Sequence, residues 1–138
     1  MKTSSAKAKG RNLQKYVSNK ITNEFDLEEG DVISRPMGSQ GTDCHMSPKA
    51  RKAFPFSIEC KNTKSFPSLA ALAQSEANHI LDTLPGVVWK PPGKGMDESL
   101  IYFNFKEFAE FWAEKFGITS IKSDNVDTND LLVRRQEY

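Results

Sequence analysis

The chain has 138 residues, with 19 lysines and arginines against 18 aspartates and glutamates, so its formal net charge is only +1. This length suits one domain of ordinary size, and the shares of hydrophobic and charged residues, 38% and 27%, are typical of soluble globular proteins. No apolar run reaches the roughly eighteen residues of a membrane-spanning helix, and no apolar segment follows the basic N-terminus, as a secretory signal requires. We therefore expect a cytoplasmic globular protein.

The two cysteines, Cys44 and Cys60, have neither a CxxC nor a Cys/His zinc spacing. A disulfide scaffold and a structural zinc site are accordingly not expected, which fits a reducing compartment.

The charged residues are segregated along the chain. Residues 1–20 carry six basic side chains and no acidic one, whereas residues 24–31 carry five acidic side chains and no basic one. A second basic cluster comprises Lys49, Arg51, Lys52, Lys61 and Lys64. Any single cluster is more often an ordinary solvated face, but together they can build a positive surface that the whole-chain sum conceals.

The first half of the chain predicts one long helix, three strands and a short helix. Apolar residues at helical spacing indicate the long helix over 9–25. Ser47-Pro48 is typical of an N-cap followed by a first-turn proline, and it predicts a short helix that ends near Ala53. The strand candidates are 31–35, 42–46 and 54–61.

The second half predicts a helix, a hairpin and a final helix. The first helix begins at Pro67-Ser68 and ends before Pro85-Gly86. Its apolar stripe is Leu69, Leu72, Ala73, Ala77, Ile80 and Leu81. Strands over 87–90 and 100–103 then form a hairpin with a long turn. The final helix, 106–116, is expected to bury Phe108, Phe111, Trp112 and Phe116 before Gly117 stops it.

This order of elements predicts an α/β fold with a central mixed β-sheet flanked by helices, in the order α-β-β-β-α-β. We expect a single domain over 1–116, followed by a polar, mobile C-terminal tail over 117–138. The fold class by itself decides nothing about function.

Three charged residues converge in this arrangement. Glu59 and Lys61 share the polar face of the strand 54–61, and Asp43 stands at the start of the strand before it. If these two strands pair antiparallel, Asp43 lies beside Glu59. Two carboxylates held together are costly unless a cation lies between them, and oxygen ligands favour Mg²⁺ or Mn²⁺ over zinc. Glu-x-Lys alone, however, is far more often an ion pair on a solvated strand face.

These residues resemble the PD-(D/E)xK nuclease signature, in which an acidic residue precedes a strand that carries E-x-K. Within that superfamily the chain is most similar to the archaeal-type Holliday junction resolvases, over residues 7–105. The matching motifs are Lys9-Gly10-Arg11-Asn12-Leu13-Gln14, Gly38-Ser39 with Asp43, Ile58-Glu59-Cys60-Lys61 and Pro85-Gly86-Val87-Val88-Trp89-Lys90. The resemblance implies a restriction-endonuclease-like core.

The resemblance also implies the residues of a site. Asp43, Glu59 and the backbone carbonyl of Cys60 hold Mg²⁺, for which Mn²⁺ substitutes, and Lys61 acts on the water or on the transition state. Gln14 stands where the family has a helix glutamate, and it is expected to hold a water at the metal. The implied DNA-binding residues are Ser39, Lys7, Lys9, Arg11, Lys15, Arg51 and Lys52.

The resemblance thus predicts a metal-dependent DNA endonuclease that hydrolyses phosphodiester bonds in branched DNA, as a Holliday junction resolvase does in recombination and repair. Two symmetry-related nicks in a four-way junction demand a homodimer, and DNA as the partner implies association with the nucleoid. Two other interpretations stay open. One is a nuclease or nickase for linear duplex DNA in repair or restriction, and the other is a catalytically decayed DNA-binding module on the same fold.

Other polar and aromatic residues carry weaker signals. His45 and His79 have no ligand partner at a useful spacing. Gln74 follows the E-x-K strand on the next helix, where it faces either the site or solvent. Trp89 and the phenylalanines are interpreted as core residues.

Overall fold

A computed structural model of the chain describes residues 3–36 and 41–117. Its elements are α1, Thr3–Glu24; β1, Val32–Ser34; β2, Cys44–Met46; α2, Pro48–Ala53; β3, Phe56–Lys61; α3, Ser68–Asn78; β4, Leu84–Trp89; β5, Leu100–Tyr102; and α4, Phe105–Lys115. No helix within these two ranges is long and apolar enough to cross a membrane. The predicted α/β class is confirmed.

The described strands form two hydrogen-bonded ladders rather than the one central sheet that was predicted. β3, β4 and β5 make a mixed sheet, in which β3 and β4 are parallel and β4 and β5 antiparallel. β1 and β2 form a separate antiparallel pair. A side chain joins the two ladders, because the Asp43 carboxylate accepts a hydrogen bond from the N–H of Cys60 at 2.7 Å. This N–H would otherwise pair with a neighbouring strand.

α1 covers one face of β3 because its apolar residues recur at every fourth position. Leu13, Val17 and Ile21 are all buried. They belong to the larger core cluster, whose other buried members are Val32, Cys44, Met46, Ala50, Ile58 and Cys60. α1 begins at Thr3 rather than at Lys9. The apolar periodicity does not extend to its first residues, which are mostly polar. Their alanines and lysines nevertheless favour helix.

α3 covers the other face of the sheet with small side chains. Its buried residues are Ala71, Leu72 and Ser75, so the predicted apolar stripe is wrong for this helix except at Leu72; Ile80, which is half-buried, lies beyond the end of α3. Ser75 Oγ lies 3.1 Å from the carbonyl oxygen of Ser57 and 2.9 Å from that of Gly86. A short hydroxyl side chain lets the helix approach the strands, whereas Leu69 remains 76% exposed.

β4 begins earlier than predicted and includes Pro85 and Gly86. The N–H of Leu84 donates to the carbonyl of Pro55 at 3.0 Å, so the nitrogen of the next residue points away from β3. The ladder with β5 starts only at Val87. Proline has no backbone N–H, and no strand among the described residues lies opposite the nitrogen of Pro85. The proline therefore costs the sheet no hydrogen bond.

Gly86 lies against an aromatic ring, and its replacement is expected to destabilise the fold. A Cβ built on Gly86 would collide with Phe103, whose Cδ1 would be 2.7 Å away. Phe103 packs on Phe56 with ring centroids 5.3 Å apart, so the ring cannot retreat without disturbing that contact. We expect Gly86→Ala to lower the free energy of unfolding by about 1–3 kcal/mol, the usual cost of overpacking. An unchanged denaturation midpoint would contradict this close contact.

The chain divides into two compact units, Met1–Phe103 and Asn104–Tyr138, and the single domain expected over 1–116 stays a prediction. α4 is capped by Asn104, whose side chain accepts the N–H of Glu107 at 2.9 Å. Gly117 follows α4 with a φ of +77°, as predicted for a glycine that ends a helix. The C-terminal tail from residue 118 lies outside the described residues.

The aromatic residues of α4 do not form the buried face that was predicted. No residue of this helix is buried. The rings of Phe108 and Trp112 instead stack on each other with centroids 5.6 Å apart, and Trp112 continues to Phe116 at 4.9 Å.

Candidate active site

Asp43, Glu59 and Lys61 come together at the end of β3. Glu59 is only 3% exposed, and its carboxyl group hydrogen-bonds to that of Asp43. Lys61 Nζ lies 3.8 Å from Glu59 Oε1. Asp43 reaches this point from the start of β2 through its 2.7 Å hydrogen bond with the N–H of Cys60. The convergence expected for the three residues is present, although β2 does not ladder with β3.

The two carboxyl groups are poorly placed to carry two negative charges. Burial, reinforced by the charge of Asp43, raises the pKa of Glu59 from 4.5 to about 8. Burial also raises the pKa of Asp43, while the hydrogen bond from Cys60 opposes that rise. Near neutral pH the pair therefore retains a proton between its oxygens unless another cation takes its place.

The backbone of Cys60 faces the same edge of β3 as Asp43. The carbonyls of Pro55 and Lys61 accept the N–H groups of Leu84 and Lys90, each at 3.0 Å. Because these groups alternate along a strand, the N–H and C=O of Cys60 point to the opposite edge. Asp43, Glu59 and this carbonyl thus offer a donor set made only of oxygen.

The donor set fits a hard divalent cation. Oxygen ligands suit Mg²⁺ and Mn²⁺, and Mg²⁺ usually binds through one or two carboxylates with water completing its shell. Within residues 3–36 and 41–117, no cluster of three or more His, Cys, Asp and Glu side chains is present. A metal ion at this position would therefore rely on two side chains, backbone and water.

Gln74 of α3 holds Lys61 in place. Lys61 Nζ donates to Gln74 Oε1 at 2.9 Å, so Gln74 contacts the site although it is exposed; the sequence left open whether it faces the site or solvent. An ammonium group held between Gln74 and Glu59 is already in position to stabilise negative charge that develops beside it.

Gln14 is buried in α1 and is bound to β1. Its Oε1 accepts the hydroxyl of Ser34 at 2.9 Å, and its backbone carbonyl lies 3.9 Å from the sulfur of Cys44. Cys44 directly follows Asp43 and pairs with Ser34 in the ladder, so both contacts connect Gln14 to the strands next to Asp43. A role in holding water at a metal stays a prediction.

The predicted DNA-binding residues of α1 are exposed but fall on different sides of the helix. Lys7, Arg11 and Gln14 are spaced along one edge, with Lys15 next to Arg11, whereas Lys9 lies about half a turn away. The carbonyl of Lys9 accepts Asn62 Nδ2 at 3.3 Å. This contact brings the first half of α1 to the end of β3 that carries the site.

The other predicted DNA contacts are not at the site. α2 connects the far end of β2 to the start of β3, so Arg51 and Lys52 lie at the opposite end of β3 from Lys61. Arg51 Nη1 donates to the carbonyl of Met46 at 2.7 Å. Ser39 lies outside the described residues.

The structure adds one basic residue that the sequence analysis missed. The N–H of Arg35 donates to the carbonyl of Asp43 at 2.8 Å, and its Nη2 lies 3.1 Å from His45 Nδ1. Its Nε is buried and has no hydrogen-bond partner among the residues that the structure describes. Gly41 leaves room for this guanidinium group, since a Cβ there would be 3.2 Å from Arg35 Cζ. Only the strand register reveals that Arg35 lies opposite Asp43.

Comparison with known proteins returns no relative. No family model matches the chain, and no curated protein or solved structure matches it.

Proposed function

We propose that the chain is a metal-dependent endonuclease of the PD-(D/E)xK type that hydrolyses phosphodiester bonds, with branched DNA as its substrate. The observation that carries the proposal is the buried contact between Asp43 and Glu59, together with Lys61 Nζ, which lies 3.8 Å from Glu59 Oε1. Asp43 also joins the two ladders through the N–H of Cys60, but the packing of the core does not require an acid at position 59 or a lysine at position 61. An acidic pair next to a positioned lysine does suit hydrolysis of a phosphodiester.

The arrangement around the site supports a restriction-endonuclease-like core as part of this proposal. The strand with Glu59 and Lys61 lies between α1 and α3, and the acid from the preceding strand reaches its edge. This is the order of parts that the resemblance implies, although the two ladders are separate.

The metal ion would be held by Asp43, Glu59 and the carbonyl of Cys60. When bound, Mg²⁺ supplies Lewis-acid polarisation of the phosphate. Lys61, positioned by Gln74, stabilises the negative charge that grows on the phosphate and orients the attacking water.

The positive edge of α1 favours a polyanionic substrate. Lys7 and Arg11 extend from the level of Gln14 and are exposed, so they can each neutralise a backbone phosphate. A four-way junction has two-fold symmetry, and the described part of one chain, 3–36 and 41–117, carries one such acidic pair. The proposal therefore includes a homodimer that presents two sites and a location at the nucleoid.

One cleavage panel tests the proposal. Supercoiled, linear duplex, single-stranded and four-way-junction DNA are each incubated with Mg²⁺, Mn²⁺ or EDTA, and light scattering at micromolar protein gives the oligomeric state. We expect nicks in symmetry-related strands of the junction with either metal, none with EDTA, and a dimer.

Other outcomes separate the alternatives. A strict monomer that cuts linear duplex as readily as junctions contradicts the resolvase activity and favours a general nuclease. Binding without cleavage in any metal favours a decayed DNA-binding module. A protein that neither binds nor cuts DNA overturns the proposal.

A further inference from the structure

The loop between β3 and α3 carries an exposed aromatic ring. Phe66 is 54% exposed, yet its ring centroid lies 5.1 Å from that of Trp89 and 4.9 Å from that of Tyr102. The interpretation of the phenylalanines as core residues is therefore wrong for Phe66. About half of its surface is open to solvent, and the rest is supported by two other rings.

Contacts on both sides of Phe66 hold the loop in this conformation. Trp89 Nε1 donates to the carbonyl of Thr63 at 3.0 Å, and the hydroxyl of Tyr102 donates to the carbonyl of Ser68 at 2.9 Å. Ser68 has a φ of +58°, a conformation that is costly for a residue with a side chain and persists only where neighbouring contacts enforce it. Phe66 is thus presented by a fixed loop.

This ring belongs to the same end of the sheet as the acidic pair. Trp89, which supports Phe66, is the register partner of Lys61, and partners in neighbouring strands project from the same face. The flanking segments 60–75 and 84–96 contain no acidic residue. Their basic residues are Lys61, Lys64, Lys90 and Lys94.

We propose that Phe66 is a stacking platform for an unpaired nucleobase of the DNA strand that enters the Asp43–Glu59–Lys61 site. An exposed ring, flanked by segments whose charged residues are all lysines, matches both parts of a nucleotide, because the ring stacks on the base and the lysines attract the phosphates. A base inside a duplex already stacks on its neighbours, so the platform selects DNA with an unpaired base. The inference rests on the proposed function, since it specifies the form of DNA at that site.

Fluorescence anisotropy in EDTA tests the platform without cleavage. The probes are a labelled duplex and the same duplex with one bulged adenine. We expect Phe66→Ala to weaken binding of the bulged duplex about tenfold and binding of the paired duplex less than about twofold, while Phe66→Tyr retains the wild-type affinities. Phe66→Leu, which keeps apolar bulk without a ring, is expected to behave like Phe66→Ala.

A spectroscopic signal and a matched control complete the design. When 2-aminopurine replaces the bulged adenine, the wild type is expected to quench its fluorescence by stacking and Phe66→Ala is not. Phe25→Ala is the control, because Phe25 is 43% exposed and packs on Phe54 with centroids 5.4 Å apart, beyond the opposite end of β3. This control is expected to leave both affinities unchanged.

The possible failures are distinguishable. Equal affinities of wild type and Phe66→Ala for the bulged duplex, an equal loss for both duplexes, or unquenched 2-aminopurine would each overturn the platform. If DNA is cut with Mg²⁺ but Phe66 has no effect, the inference fails and the nuclease proposal stands. If the bulged duplex binds through Phe66 but nothing is cut, the inference stands and the nuclease proposal fails.

Discussion

Asp43→Asn and Glu59→Gln are each expected to slow cleavage of a four-way junction by at least about a hundredfold, and Lys61→Ala by a similar factor. The two amides preserve shape but remove the charge that holds a divalent cation. The alanine removes the ammonium group that Gln74 positions 2.9 Å away. The measurement is the single-turnover rate with Mg²⁺, after circular dichroism has shown that each variant is folded.

Matched variants outside the site complete this test. Asp82→Asn changes an exposed aspartate with a φ of +68°, which asparagine tolerates, and Lys49→Ala removes a lysine that lies 3.8 Å from Glu28. Both are expected to cut at the wild-type rate. DNA affinity in EDTA is expected to survive in Asp43→Asn and Glu59→Gln, because the wild-type pair already retains a proton near neutral pH and each amide variant keeps one carboxylate. Full cleavage by any of the three site variants would contradict the assignment.

The sequence predicts β3 well but not what covers it. Alternation correctly identified the strand and put Glu59 and Lys61 on one face, because strand geometry has a period of two. The same pattern predicted that this face is exposed to solvent unless a metal ion binds there. In the structure Ser57 and Glu59 are buried under α3, whose Ser75 hydroxyl lies within hydrogen-bond distance of the strand carbonyls. Because the helix packs through small and polar residues, periodicity identified an apolar stripe other than the face that is buried.

The residues of the candidate site that belong to a sequence motif could be predicted. Those whose positions depend on strand register could not. Asp43 and Glu59 were paired by the motif, and the structure brings them together through the N–H of Cys60 rather than through a strand ladder. Arg35 and Phe66 were missed, since their positions depend on which strands are neighbours and on hydrogen bonds distant in sequence. The sequence left two orientations open for Gln74, toward the site or toward solvent, because a small rotation of the helix changes which way the side chain faces.

The free energy of unfolding is expected to fall as the pH rises from about 5 to about 8 when no divalent cation is present. Burial and Asp43 raise the pKa of Glu59 to about 8 from its ordinary 4.5, so between these values the folded chain binds more protons than the unfolded chain. The expected loss is about 2 kcal/mol, because each pKa unit corresponds to about 1.4 kcal/mol and solvent screening at this partly open site reduces the full effect. Urea denaturation in EDTA at several pH values measures it.

Glu59→Gln and added Mg²⁺ distinguish the effect of Glu59 on the free energy of unfolding from that of other titrating groups. The amide has no proton to lose, so the stability of Glu59→Gln is expected to vary less across the same pH range. Asp31 acts with the opposite sign, since the Ser47 hydroxyl and the N–H of Glu28 lower the pKa of its carboxyl group below 3.8; the stability it contributes is lost only as the pH falls below that range. At pH 8 excess Mg²⁺ is expected to restore stability to the wild type, because it binds the ionised pair in the folded chain, and to leave Glu59→Gln nearly unchanged. Equal pH profiles for the two proteins would show that Glu59 is not held in its protonated form, and a wild type indifferent to Mg²⁺ would remove the metal from the proposed mechanism.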